Sequence, residues 1–170
     1  MHKKYRGPIN KKHLIISLVG VLLFASILSF FTLKSTPSNT TTKTPTTEYK
    51  TIKKSLDNKF NQNGKVVTIK EDHNINDDTS KHPHTVIVIR LTDKQTQKYL
   101  KTSFEAIQNN QATDDQKSYV RALQNIVATQ AKKLDNNYDV IQFVYKDGKT
   151  FVPVASSQKN RNLIKLVKTK

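Results

Sequence analysis

The chain has 170 residues, 29 Lys plus Arg against 13 Asp plus Glu, and no cysteine. That length accommodates one small globular unit beside any anchor or tail, and a two-domain enzyme with a deep interdomain cleft does not fit. Without cysteine, disulfide scaffolds, thiolate zinc sites, thiol nucleophiles and a lipid-modified N-terminal cysteine are excluded.

Residues 1–13 form a basic tail in which Lys3, Lys4, Arg6, Lys11 and Lys12 stand close to a long apolar run. From Leu14 to Leu33 there are twenty residues without a charge. As a helix they cover roughly 30 Å, the thickness of a bilayer's hydrocarbon core, whereas the apolar part of a cleavable signal usually runs to about 7–15 residues. The reading is an uncleaved transmembrane helix over 14–33 that makes the lipid bilayer the first partner of this chain. Positive charge is retained on the cytoplasmic side, so the basic tail is expected inside and the remainder outside. Ala25 and Ser29 form a small-residue pair, a weak signal for helix self-association.

Residues 34–47 hold a Thr/Ser/Pro-rich stretch without one large apolar side chain. Such a segment buries nothing and reads as a solvated stalk, about 20 Å long on average.

Residues 48–155 carry the pattern of a folded α+β domain. Tyr49, Ile52, Leu56 and Phe60 recur at helical spacing, with Thr47 as a possible cap and Asn63-Gly64 as a stop. Two β-rich runs come next, Lys65 to Glu71 and His84 to Leu91. The second is apolar on both faces, as a central strand would be. Asp93 opens a helix whose apolar positions are Tyr99, Leu100, Phe104 and Ile107. Thr113 and Gln116 make a capping box for another, with a stripe of Tyr119, Val120, Leu123, Ile126, Val127, Ala131 and Leu134. Finally, two strands between Asp139 and Ala155 flank Asp147-Gly148, the pair preferred for a type I′ hairpin. That turn sets Lys146 against Lys149 and places a bulge or a ladder end at Pro153. The expected order is α-β-β-α-α-β-β with a mainly antiparallel sheet.

Candidate sites are few. His73, Asp77, Asp78, His82 and His84 lie in or beside one loop and are the residue types that ligate a divalent metal. Lys81 and Pro83 interrupt them, and the competing reading is an ordinary polar loop with no metal and no cofactor. No catalytic residue is assigned: the nucleophile elbow, the zinc-protease helix and the phosphate-binding glycine loop are all missing from the sequence.

Charge is more informative. Residues 48–155 balance 17 Lys plus Arg against all 13 acids, whereas the basic C-terminal tail, 156–170, carries Lys159, Arg161, Lys165, Lys168 and Lys170 with no acid. As an amphipathic segment it would meet an anionic envelope polymer or lipid; packed on the domain it would present lysines to solvent.

The sequence therefore points to a single-pass membrane protein with a non-enzymatic extracytoplasmic domain that binds or senses a partner, an unidentified protein included, at the cell envelope. Alternatives are nucleic-acid handling at the membrane, in which Tyr99, Tyr119, Tyr138 and Tyr145 would stack bases, and metal binding by the His/Asp loop.

Overall fold

The computed structural model describes residues 47–169. The basic tail 1–13, the apolar run 14–33, nearly all of the stalk and Lys170 lie outside these residues. Among the described residues no helix is long and apolar enough to cross a membrane.

Helix α1 spans Thr47–Phe60, and strands β1 and β2 span Val67–Ile75 and His84–Leu91. Helices α2 and α3 come next at Lys94–Gln108 and Asp114–Ala131, then β3 at Val140–Asp147 and β4 at Thr150–Ser157. The strands make one α+β sheet in the order β1-β2-β3-β4. Its outer pairings are antiparallel, but β2 and β3 run parallel, so the sheet is mixed rather than mainly antiparallel. The cause lies in the connection. Two helices separate β2 from β3, and a crossover of that length returns the chain to the end of the sheet from which β2 started.

The helices form on local signals. Asp93 caps α2, its Oδ1 accepting from the Thr96 N–H at 2.7 Å and from the Thr96 hydroxyl at 2.6 Å. These bonds hold its carboxyl below the usual range. Thr113 and Gln116 exchange both bonds of the capping box, with Asp114 and Asp115 in the first turn at the positive end of the helix dipole. Helix α1 gives way to Asn61, whose Oδ1 accepts from the N–H groups of Val66 and Val67 at 2.8 and 2.9 Å, turning the chain into β1.

Each helix buries one face. Ile52 and Leu56 of α1, Leu100 of α2 and Val120 and Val127 of α3 pack with Ile87, Ile89, Ile141 and Phe143 in the core. Phe60 meets Phe143 with ring centroids 5.1 Å apart. On the opposite face Val86, Val88, Val140 and Val144 form a second apolar cluster, against which Ile75 and Leu163 pack. Strand β2 is thus central and covered on two sides.

Both hairpins depart from the expected detail. β1 continues through His73 and Asn74 to Ile75, with a bulge opposite Thr85 that Asn74 accommodates at φ 56°. In the second hairpin Asp147 pairs with Thr150, leaving Gly148 and Lys149 as the turn residues; only Gly148 has positive φ, 58°. A glycine at the first central position is the pattern of a type II′ turn, not type I′. The turn moves one residue along the chain, so the pairings from Val144 to the turn shift by two, Lys146 facing Phe151 instead of Lys149, and Tyr145 and Val152 stay on one face. Pro153 stays in the ladder opposite Val144, and the irregularity falls just beyond it, between the Val144 and Phe143 pairings.

Candidate binding surface

The C-terminal segment begins inside the fold. β4 runs past residue 155 to Ser157, and the chain beyond it is a strap, not a helix. It turns back at Gln158, whose N–H donates to the Arg161 carbonyl at 2.8 Å, and bridges beside β4 at Asn162. The Leu163 N–H then donates to the Ser156 carbonyl at 2.8 Å while its side chain joins the second apolar cluster.

Buried Gln124 of α3 holds the far end. Its amide donates to the Val154 carbonyl at 3.0 Å and to the Lys165 carbonyl at 3.4 Å, and its oxygen accepts from the Val167 N–H at 2.7 Å. Arg121 adds a bond to the Val167 carbonyl at 3.0 Å. Leu163, Leu166 and Val167, which the sequence allows as one side of an amphipathic helix, are instead half-buried in an extended segment.

This path separates the tail cations into two groups. Arg161 is a fastener: its Nε donates to Gln158 Oε1 at 2.6 Å and its Nη2 to the Thr79 carbonyl at 3.1 Å. Lys159 lies against the Asp135 carbonyl at 3.5 Å. Lys165 and Lys168 are exposed, and their side chains face solvent.

The loop before β2 is clamped from the same side. Gln158 donates to the carbonyls of Thr79 and Tyr138 at 3.3 and 3.2 Å. Within the loop the His84 side chain is fully buried, its Nε2 3.3 Å from the Thr79 hydroxyl and 3.8 Å from Asp77 Oδ1. The single Thr79 hydroxyl proton goes to Asp77, so the hydroxyl accepts from His84 Nε2–H. His73 points elsewhere, with Nδ1 3.3 Å from the Thr85 hydroxyl and Nε2 3.8 Å from Glu71. His82 packs on Tyr138, ring centroids 5.5 Å apart, and Asp78 is exposed. The five candidate ligands do not converge, and among the described residues no group of three or more His, Asp or Glu side chains is placed to hold a metal.

A second cationic region, which tail-centred reasoning misses, lies around α1. Lys54 stands on a ridge between two open grooves. One is lined by Thr51, Lys54, Ser55, Asn58, Lys59 and Ile126, between α1 and α3. The other runs between α1 and β1 and is lined by Lys53, Lys54, Asp57, Lys65 and residues 67–69. Lys53 pairs with the mostly buried Glu71, whereas Lys50, Lys54, Lys59, Lys65 and Lys70 are exposed. The signal was in the sequence as Lys50, Lys54 and Lys59 falling between the apolar positions of the first helix.

Comparison with protein-family models, with curated proteins and with solved structures finds no match. The chemistry of the surface therefore rests on its own geometry.

All four tyrosines named for base stacking are engaged in the fold. Tyr145 is buried, and Tyr119 packs edge-on against Tyr99 with centroids 5.0 Å apart. Burial raises the Tyr119 hydroxyl above its ordinary value, with the neighbouring Tyr99 adding to the shift. Tyr99 and Tyr138 retain exposed surface, 47% and 37% respectively, which leaves two separately packed rings rather than a row of stacking platforms.

Proposed function

We propose that this chain is a single-pass membrane protein whose folded unit lies outside the cytoplasm and binds an anionic partner at the cell envelope without transforming it. The observation that carries the reading is the row of exposed lysines on α1, the helix reached first from the stalk, beside two open grooves. Exposed cations beside a concave surface attract anions with long reach and modest specificity. Lys165 and Lys168 on the strap add positive charge to the same unit. A span and a flexible stalk would keep that unit at high local concentration near the bilayer, where individually weak contacts add up.

The experiment exploits the cysteine-free sequence. On intact cells a membrane-impermeant maleimide should label Lys149→Cys, in the exposed β3–β4 turn, and spare Lys4→Cys. The converse pattern overturns the orientation. Binding is read with the full-length chain in detergent micelles on poly(glycerol phosphate)-coated beads. Retention should fall steeply as salt is raised and weaken in the Lys165→Glu/Lys168→Glu variant. Retention that ignores both salt and these substitutions removes the electrostatic basis of the reading.

A further inference from the structure

The two edges of the sheet are finished differently. At β4 the chain covers its own edge, with Asn162 bridging Ser157 and Leu163 bonding to Ser156. At β1 the ladder exists on one side only among the described residues, toward β2.

The register of that open side can be read. The Val66 carbonyl accepts from the Thr92 N–H at 2.8 Å, so Val66 belongs to the set that bonds across to β2. Because successive residues of an antiparallel strand bond to opposite sides, Val67, Ile69 and Glu71 direct their backbone groups away from the sheet. Val67 confirms this: its N–H donates to Asn61 Oδ1 at 2.9 Å and its carbonyl accepts from Asn61 Nδ2 at 3.2 Å. One side-chain amide thus supplies Val67 with the two bonds that a residue on an adjoining strand would supply. Ile69 and Glu71 continue in the same outward register, and the bulge at Asn74 ends the straight run. Above them is the groove whose walls are α1 and residues 67–69.

We infer that the β1 edge is a docking site for a short, extended, acidic segment of a partner protein, which adds as a further strand along Ile69 and Glu71 and sets its carboxylates against Lys54, Lys65 and Lys70. The inference rests on the reading of this unit as a binding module and names its partner class. Charge decides the occupant. Lys53 is already matched by Glu71, and exposed Asp57 offsets one further charge, so Lys54, Lys65 and Lys70 together leave a net positive balance around the edge. A second copy pairing through β1 would bring another lysine-bearing strand alongside, a like-charge arrangement that natural edges use to prevent self-pairing. Residues 1–47 contain no Asp or Glu, so the segment ahead of the fold cannot supply the complementary charge. An acidic strand matches both the backbone groups and the lysines.

The test uses the full-length chain in detergent micelles and a fluorescein-labelled, acetylated hexapeptide alternating Glu and Val, monitored by fluorescence anisotropy. Saturable binding is expected, weakened about tenfold or more by Lys54→Glu/Lys65→Glu. N-methylating the peptide amides one at a time should abolish binding at alternate positions and spare those between, the signature of a pairing strand. Lys165→Glu/Lys168→Glu should leave peptide binding unchanged, so success or failure here is separate from retention on the phosphate polymer. No binding overturns the inference. So does binding that every N-methylated peptide retains, because that is plain charge attraction and assigns the lysines to a polyanion.

Discussion

The Tyr49 hydroxyl donates to the Asp139 carboxylate across 90 residues of sequence, joining the first helix to the entry of β3 in the buried interior. Asn136 Nδ2 and the Thr85 N–H donate to the same carboxylate, each at 2.7 Å, so one aspartate ties together α1, β2 and the approach to β3. Burial first, then the bond to Asp139, pushes the Tyr49 hydroxyl well above its ordinary ionisation range.

Asp139→Ala should therefore cost about 3 kcal/mol, because it strands a buried hydroxyl and a backbone donor at once. Tyr49→Phe should cost about 1–2 kcal/mol. Urea unfolding monitored by tyrosine fluorescence, unobscured in a chain without tryptophan, checks both. Strict additivity in the double variant would show that the two side chains are not coupled.

Gln124→Ala should loosen the strap. It leaves the Val154 carbonyl and the Val167 N–H without the bonds they make now, a loss of about 2 kcal/mol. Hydrogen exchange should accelerate at residues 163–167 more than in the β2–β3 centre of the sheet. Uniform acceleration would mean that the strap and the core unfold as one unit.

Thr113→Ala removes the N-cap of α3 and should lower stability by about 1 kcal/mol. Gln116→Ala should cost less, since it removes only the return bond to the Thr113 N–H at 2.9 Å. Equal losses would indicate that the box acts through something other than the bonds at Thr113.

Alkaline pH should destabilise the fold through Tyr145. Burial, with the charges of Asp147 and Glu105 assisting, pushes its hydroxyl from 10.0 up to about 12. The folded state keeps the proton that the unfolded chain releases, so this contribution is intact below pH 10 and is lost as pH rises toward 12. Urea midpoints measured at about pH 9, 10 and 11 should decline, and Tyr145→Phe should decline less. Identical slopes would remove Tyr145 as the cause.

Gly148→Ala should cost about 1 kcal/mol through backbone strain alone, because φ is 58° and a Cβ there would meet nothing within 4 Å. Gly64, at φ 132° and equally open, should tolerate alanine less well. Thermal unfolding ranks the two. A neutral Gly148→Ala would show that the turn relaxes.

How far each feature is legible in the sequence depends on the range of the interaction that decides it. The Thr113–Gln116 box and the spacing of Ile52, Leu56, Val120 and Val127 are local, and the helices result from them. Strand β1 runs longer than it reads because His73 and Asn74 look like loop residues until Ile75 finds His84 across the bulge. The hairpin register slipped because one glycine can serve either central position of a two-residue turn. The parallel pairing of β2 with β3, the amide of Asn61 on Val67 and the grip of Gln124 on Val167 are set by residues far apart or by side-chain geometry, which no periodicity records. For the same reason the His/Asp cluster dissolves. Adjacency in a polar loop does not make five side chains aim at one point.

The grip of Gln124 on Val167 also sets an order of closure. With only residues up to 157 in place all four strands are present, yet Gln124 still lacks the backbone it grips and the Val86–Val144 cluster still lacks Leu163. The fold is therefore sealed from the side of β4, when residues 163–167 come to lie on it.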